Sequence, residues 1–490
     1  MAIRFFFLLI SALLSLQQCA ERPQPTQVAV AVQPLAAEVP TGQLLRALLD
    51  TATSSPSTAD AHLGLQAGFY VRAFYGAEPL PVWTLGTDSL TAAASAALTL
   101  LQQVPAYGLE PTDYAVPRLL ALRDSLRQFA HPSYERQARF ELYLSDAVLR
   151  FMLDLHRGRR HAYTPSPLEQ TTGRVFRPHE ALRAGLAAGR VPAAILACQP
   201  RHRAYRQLQA ALARWLQQPV PPDSAAQYQR RYEQVALNLE RWRWAAIPDS
   251  AYVLVNLPAF ALYVVQGDSV VRQHRVVVGK PQTPTPTLSS QITYFTLAPD
   301  WHVPQSIATK EILPHLKADP GYLALNNYAL YDSRGQQLDP QHIDWQRISP
   351  DNFRYSIRQS AGCENALGNI VFRFPNPYSV YLHDTPMRQF FERPSRAFSH
   401  GCMRLENPMQ LAAYLLRREG QSVHLPSESE CARQPRSQDV HLRRPMPLHV
   451  CYATCGVEEG KLRFYPDIYH QDAVLRQQLF ASGPKPQALR

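Results

Sequence analysis

The chain of 490 residues has no run after its first few residues of about twenty uninterrupted apolar side chains, the length a helix needs to cross a bilayer. The mature chain is therefore not expected to span a membrane. Glycine is scarce, 21 against 42 prolines, so the connections should be ordered and proline-punctuated rather than flexible. Charged residues are only 18% and hydrophobic residues 46%, a balance that excludes wholesale disorder. The seven cysteines (Cys19, Cys198, Cys363, Cys402, Cys431, Cys451, Cys455) include no C-x-x-C pair, so no zinc site is expected. Zinc-finger spacing, an RNP-like stretch and a long basic helix are all missing, which leaves nucleic acid without support as a partner. No repeat of fixed period is present, and no cofactor is expected.

What is present begins at the N-terminus. Arg4 precedes an apolar run over 5–16, followed at once by Gln17, Gln18 and Cys19. A basic start and an apolar core too short to span describe an export signal over 1–19. Cys19 stands where a lipoprotein cysteine would stand, although Gln18 occupies a place where a small residue is expected; a lipid anchor at Cys19 is left open. The expected location is extracytoplasmic, in the periplasm or cell envelope. An oxidising compartment could pair Cys451 with Cys455 or Cys431. Net charge is +11 with a pI near 9.3, which suits an anionic surface or simply keeps the chain soluble.

The length allows two or three domains. Residues 20–43, rich in Pro, Gln, Ala and Val, read as a linker. From 44 to 246 helical patterns dominate: Phe140, Tyr143, Leu144, Ala147, Phe151 and Leu155 share one face of a helix that Gly158 should stop. Tyr228, Tyr232, Val235, Leu239 and Trp242 share another, a stripe that reads as core packing. At Pro248 the pattern changes to short β-branched runs, over 251–257, 260–266, 270–279, 291–297, 354–358, 369–374 and 378–382, joined by tight turns. Residues 305–350 are polar and less regular, with a short helix over 306–316, and read as a lid. Helix returns over 408–419. The tail over 426–490 has strand-like pieces at 449–453 and 461–465 and a helix over 471–480, and reads as an extension packing on either domain. The expected fold class is α+β and multidomain: a mainly helical scaffold over 44–246, then a mainly β catalytic domain over 248–425 with a lid insertion.

The segment carrying chemistry joins His383 and Asp384 to Ser399-His400-Gly401-Cys402 and Arg404. A thiol of ordinary pKa, about 8.5, is mostly protonated at neutral pH, so a nucleophilic cysteine needs an imidazole to take its proton. His383 ends an apolar run, a rigid place for a base, and His400 is two residues from the thiol. Gly401 permits a sharp turn that would let its own N–H and that of Cys402 face a developing oxyanion. Asp384 reads as a turn former rather than a third catalytic acid, because adjacent strand residues point to opposite faces. A disulfide half-cystine is the bland alternative for Cys402.

The string His383…Ser399-His400-Gly401-Cys402-Met403-Arg404 resembles the signature of the L,D-transpeptidase (YkuD-like) catalytic domain: a His, a spacer, then Ser/Thr-His-Gly-Cys-x-Arg. The stretches at 299–307, 365–368, 374–378 and 381–386 resemble its large subfamily with an N-terminal helical scaffold, as do Phe74-Tyr75 with Trp83, 107–111 with Tyr114, and 238–244. The resemblance covers roughly 60–480. It implies Cys402 as nucleophile and His383 as general base, the base being held by a backbone carbonyl just after it. Ser399, His400, Gly401, Arg404 and Asp384 would shape the oxyanion hole or support the substrate, and Trp301, Tyr381 and Asn365 would line the groove or lid. Larger relatives carry a peptidoglycan-binding module between scaffold and catalytic domain; the stretch over 161–225 is too short and lacks its Leu/Gly pattern.

The implied reaction needs no cofactor and no metal. Cys402 attacks the third residue of a peptidoglycan tetrapeptide stem, D-alanine leaves, and the acyl group passes to an amine of a neighbouring stem as a 3→3 cross-link. Carbapenems would acylate the same thiol. Water as acceptor would make an L,D-carboxypeptidase, and a protein amine would make an enzyme attaching lipoproteins to the wall. The alternative of another class is a non-catalytic wall-binding scaffold, which would have no need of both Cys402 and His383. A papain-like protease would carry its cysteine ahead of its histidine, near the mature N-terminus.

Overall fold

Helical periodicity governs the first half of the chain. The longest helix, α1 (Tyr134–Arg157), begins at Ser133, whose hydroxyl accepts from the Arg136 N–H, and ends at Gly158 as its pattern implies. Gly158 has a φ of 74°, and a Cβ there would lie 2.6 Å from Trp244 Nε1, so glycine is required twice over. The buried face of α1 carries Phe140, Leu144, Phe151 and Leu155 into one core with Trp83, Leu101 and Leu119. Glu141 is buried in that core, yet its carboxylate accepts from the N–H groups of Val82, Trp83 and Thr84. A buried charge is tolerable when its lone pairs are filled in this way.

The computed structural model describes residues 40–50, 63–77, 79–85, 89–127, 133–159, 175–220, 224–247, 251–362, 364–433 and 435–480. The expected export signal, Cys19, most of the 20–43 linker, Cys363 and part of the 161–225 stretch lie outside them. Among the described residues no helix is long and apolar enough to cross a membrane.

Two further helices, α2 (Arg203–Trp215) and α3 (Ala225–Trp244), turn the scaffold toward the sheet. Tyr232, Val235, Leu239 and Trp242 of α3 pack with Tyr205 and Leu208 of α2 against Tyr252, Leu254 and Val265. The aromatic stripe is therefore core packing, as its spacing implies.

The sheet that follows is built from β1 (Tyr252–Asn256), β2 (Ala261–Gln266), β3 (Ser269–Gly279) and β4 (Leu288–Leu297). A separate four-stranded sheet comes next, in the order β5-β8-β6-β7, from β5 (Trp301–His302), β6 (Tyr328–Tyr331), β7 (Gln337–Leu338) and β8 (Ser356–Gln359). The main sheet resumes with β9 (Ile370–Arg373), β10 (Leu382–His383), β11 (Ala397–Ser399), β12 (Met403–Leu405) and β13 (Gln438–Cys451). Its order is β11-β3-β12-β10-β9-β4-β13-β1-β2, and β2 pairs back on β3, which closes the sheet on itself. Closure leaves few exposed edges. The enclosed core includes Val276, Phe295, Phe372, Leu382, Met403 and Leu448, with Leu411 and Leu415 of the helix Pro408–Arg418 packed on it.

Several expectations change. The 305–350 region is no irregular loop: with the small sheet it has its own core of Ile312, Leu316, Leu330, Trp345, Phe353 and Ile357. Strands of two to four residues are too short to print a period on the sequence. The strand expected over 378–382 shrinks to Leu382–His383. Asn376 knots the preceding turn, its Nδ2 donating to the carbonyls of Phe374 and Val380 and its Oδ1 accepting from Tyr378 and Val380.

The tail over 426–490 is more than an extension packed on a finished domain. Its strand β13 lies inside the main sheet between β4 and β1, antiparallel to one and parallel to the other. Beyond it, β14 (Cys455–Glu458) and β15 (Lys461–Phe464) form a hairpin beside α2, and α4 (Gln471–Phe480) packs on α3. The pairing left open for Cys451 with Cys455 or Cys431 is not made, since Cys451 and Cys455 both carry free thiols. Both pack against the apolar cluster beneath α3, where each serves as a small hydrophobic side chain.

Candidate functional site

Strands β10 and β12 run parallel and adjacent, Leu382 opposite Met403 and His383 opposite Arg404. Side chains alternate across a strand, so Leu382, Met403 and Leu405 enter the core while His383 and Arg404 share the other face, and Cys402, just ahead of β12, is partly buried against that core. The sheet thus brings together an imidazole and a thiol nineteen positions apart. The Met403 N–H donates to the Tyr381 carbonyl at 2.9 Å and fixes the loop entering β12.

His383 is 5% exposed, and its Nδ1 lies 2.5 Å from the backbone oxygen of Asp384. A carbonyl can only accept, so Nδ1 carries the proton and Nε2 keeps its lone pair. The third partner is thus the backbone, as the resemblance implies, and the Asp384 carboxylate has other work. Its Oδ2 accepts from the Asn369 N–H at 2.9 Å and holds the turn into β9. Gly368, with a φ of 61°, is needed there, since a Cβ would lie 2.5 Å from the Asp384 side chain. Burial, then the Arg404 guanidinium, pushes the His383 pKa down to about 3; the Asp384 carbonyl opposes this and Arg373 adds to it. The imidazole is neutral at physiological pH.

Burial also raises the Cys402 pKa, against the Tyr381 backbone N–H and the charges of Arg404 and Arg373. The resting thiol is protonated. Among the described residues no hydrogen bond joins it to either histidine ring.

The loop before the thiol is internally braced. Ser399 Oγ donates to the Cys402 carbonyl at 2.5 Å and accepts from the Gly401 N–H at 3.1 Å. The expectation that the Gly401 N–H faces an oxyanion is therefore corrected: Ser399 already uses it. The Cys402 N–H donates to no group among the described residues. Gly401 sits at a φ of 117°, which only glycine adopts readily, and its carbonyl accepts from Thr285 Oγ1 at 2.8 Å. Tyr469, from the tail, donates to the Gly279 carbonyl at 2.6 Å and accepts from the Thr285 N–H at 3.2 Å. Sequence reasoning missed Thr285 and Tyr469; neither lies in a local pattern that points at the cysteine.

His400 faces outward. Its Nε2 is 2.6 Å from Glu311 Oε1 and 3.4 Å from Lys280 Nζ. Glu311 stands on a π-helical turn, Ala308–Ile312, so this pair ties the 305–350 region to the loop before Cys402. Arg404 is half-buried, its Nη1 3.6 Å from the Met387 sulfur and its guanidinium 5.7 Å over Phe390. Tyr381 lies beside the thiol, under the Arg373 guanidinium at 4.7 Å. Trp301 is on β5, at the edge of the four-stranded sheet and 6.3 Å from the Tyr328 ring. Asn365 does not line the groove. It is 1% exposed, with Nδ2 donating to the Gln359 and Ser360 carbonyls and Oδ1 accepting from Leu367, so its amide is consumed within its own turn. Among the described residues no three His, Cys, Asp or Glu side chains could share a metal ion.

Parts of the chain are similar to known proteins. Residues 250–425 match the model of the YkuD L,D-transpeptidase catalytic domain, and residues 70–212 match that of the Scaffold domain. A Haemophilus influenzae protein provisionally named an L,D-transpeptidase is 35% identical over 241 residues, which is 49% of this chain. The match spans 48%, about half, of that relative's length. Two solved structures also align, an L,D-transpeptidase from Mycobacterium smegmatis and L,D-transpeptidase 1 from Mycobacterium tuberculosis, each 17% identical over 41% of this chain. They are covered over 59% and 62% of their lengths, with TM-scores of 0.20 and 0.17, too loose a superposition to position any residue. Residues 250–425 belong to the YkuD L,D-transpeptidase family, and the chain carries this catalytic domain behind a Scaffold domain.

Proposed function

We propose that the chain is a peptidoglycan L,D-transpeptidase working outside the cytoplasm, with Cys402 as nucleophile and His383 as general base. One observation carries the assignment: a neutral imidazole, fixed by a backbone carbonyl in the tautomer with a free Nε2, stands on the strand that pairs with the one Cys402 leads into.

In acylation, Nε2 takes the thiol proton as sulfur bonds to the carbonyl carbon of the third stem residue. The carbonyl oxygen becomes an oxyanion facing the Cys402 N–H. Collapse breaks the amide C–N bond, His383 returns its proton to the departing D-alanine amine, and a thioester remains. A side-chain amine of a second stem then attacks the thioester, His383 accepts the amine proton and passes it to sulfur, and a 3→3 amide is left. One amide replaces another, so no external energy source is needed. The His400–Glu311 pair holds the lid at the mouth, where closure would keep water from the thioester and favour the amine. Carbapenems would acylate Cys402 by the same attack.

Muropeptide analysis decides the matter. Purified protein incubated with tetrapeptide-bearing sacculi is expected to yield 3→3 dimers, and Cys402→Ala or His383→Ala to lower the yield by at least 10³-fold, in the range seen when a catalytic group is removed (about 10³–10⁶). Tripeptides without dimers would point to a carboxypeptidase. Dimers persisting in Cys402→Ala would remove Cys402 as nucleophile.

A further inference from the structure

We infer that Arg373 is a specificity-determining residue that binds a carboxylate of the donor stem beside Cys402; this rests on the transpeptidase reading for the identity of the ligand. Arg373 ends β9, whose Ile370 and Phe372 enter the core. By alternation Arg373 shares a face with Val371, which pairs with His383. Its guanidinium leans 4.7 Å over Tyr381, the residue whose carbonyl anchors the loop bearing the nucleophile. Arg404 stands on the same face from the other side, opposite His383.

Among the described residues neither guanidinium has a carboxylate within ion-pair distance. Other arginines of the chain do: Arg275 is held by Glu406 and Glu392, Arg241 by Asp472, and Arg243 by Glu240. Glu311, an acid of the 305–350 region, is engaged with His400. Two half-buried cations without a counter-ion are costly in an empty site and favourable once an anion arrives. A guanidinium fork also matches a carboxylate in two hydrogen bonds. The acceptor brings an ammonium group, which these charges repel, so the cationic face suits the donor. The donor has two sources of the same chemistry: the terminal carboxylate of the leaving D-alanine, and a carboxylate at the far end of the third residue's side chain where the diamino acid has one. Charge at Arg373 also favours the thiolate, so a bound carboxylate would be felt at the nucleophile.

The test uses the full chain with Cys402→Ala, which keeps the ligand intact, and calorimetric titration of three tetrapeptide stems: the free acid, its terminal amide and its side-chain amide. Adding Arg373→Gln is expected to weaken the free acid about 10- to 100-fold, the range for losing a charge-assisted hydrogen-bonded contact. One of the two amides should bind both proteins alike and so identify the carboxylate. Arg373→Lys, which keeps charge but not the fork, should fall between. Equal affinity of the free acid for both proteins, or an equal loss for all three ligands, overturns the inference, as does failure of the free acid to bind the Cys402→Ala protein. Carboxylate-dependent binding without any acyl-enzyme in wild type would instead leave the inference standing and remove the transpeptidase assignment.

Discussion

At the scale of single residues, the thiol of Cys402 and the imidazole of His383 are both kept neutral. Many reactive cysteines are stored as thiolate beside an imidazolium, but here burial pushes the thiol up and the imidazole down to about 3, so both charged forms are disfavoured at pH 7. The proton must then move during attack, not before it. The sign follows directly: with a raised pKa, the thiolate fraction keeps growing as pH rises past the ordinary value of about 8.5. Alkylation of Cys402 by iodoacetamide should accelerate about tenfold per pH unit through at least pH 8.5, followed by intact mass. A rate plateau between pH 5 and 7 would show a stored ion pair and contradict the neutral site. Local sequence made the thiol, His383 and the Gly401 turn legible, because each belongs to one short string. The tautomer, the use of the Gly401 N–H by Ser399, and the withdrawal of Asn365 from the groove depend on hydrogen bonds that spacing does not encode.

At the scale of elements, β13 matters most. The stretch matching the catalytic family ends at residue 425, yet the sheet that positions His383 is completed by residues 438–451. β4 bonds to β13 on one side and to β9 on the other, and β9 carries β10. Removing the tail would open the sheet beside β4 and bare a strand edge. A chain ending at residue 425 is expected to show no cooperative thermal transition by circular dichroism. Leu448→Ala, at a fully buried position of β13, should cost about 2–5 kcal/mol in a denaturant melt. A truncated chain that melts cooperatively with full activity would show the tail to be dispensable. The hydrophobic pieces of the tail were visible as strand-like, but not their neighbours: β13 starts well before the 449–453 run, and its first half carries Arg443, Arg444 and Pro445. A bulge between His441 and Met446 absorbs that stretch, which broke the alternation a strand reading relies on.

At the scale of the whole molecule, scaffold and sheet are joined by a buried polar seam. Asn238 of α3 donates from Nδ2 to Thr454 Oγ1 at 2.9 Å and accepts at Oδ1 from the Thr454 N–H at 2.8 Å. Thr454 donates onward to Asp472, which also pairs with Arg241. The same tail then runs through Asp467 and Tyr469 to Thr285 and Gly401. Asn238→Ala leaves a buried N–H without its partner and is expected to cost about 1–3 kcal/mol. The denaturation midpoint checks this; an unchanged midpoint would mean that water replaces the amide. The helical half is thus more than a spacer, since α3 grips the segment that braces the loop before Cys402.

Sequence alone determined the order of helical and β regions, the packing role of the aromatic stripe on α3, and the string His383…Ser399-His400-Gly401-Cys402. Those signals are local, written in periodicity, turn residues and short motifs. Tertiary structure decided that residues 305–350 are a folded insert, that the tail supplies an inner strand, that Cys451 and Cys455 stay thiols, and that, among the described residues, Arg373 and Arg404 have no counter-ion. These are facts of pairing between segments far apart in the chain. Strand partners are chosen by closure of the sheet and burial of one face, and neither is visible to a window of neighbouring residues.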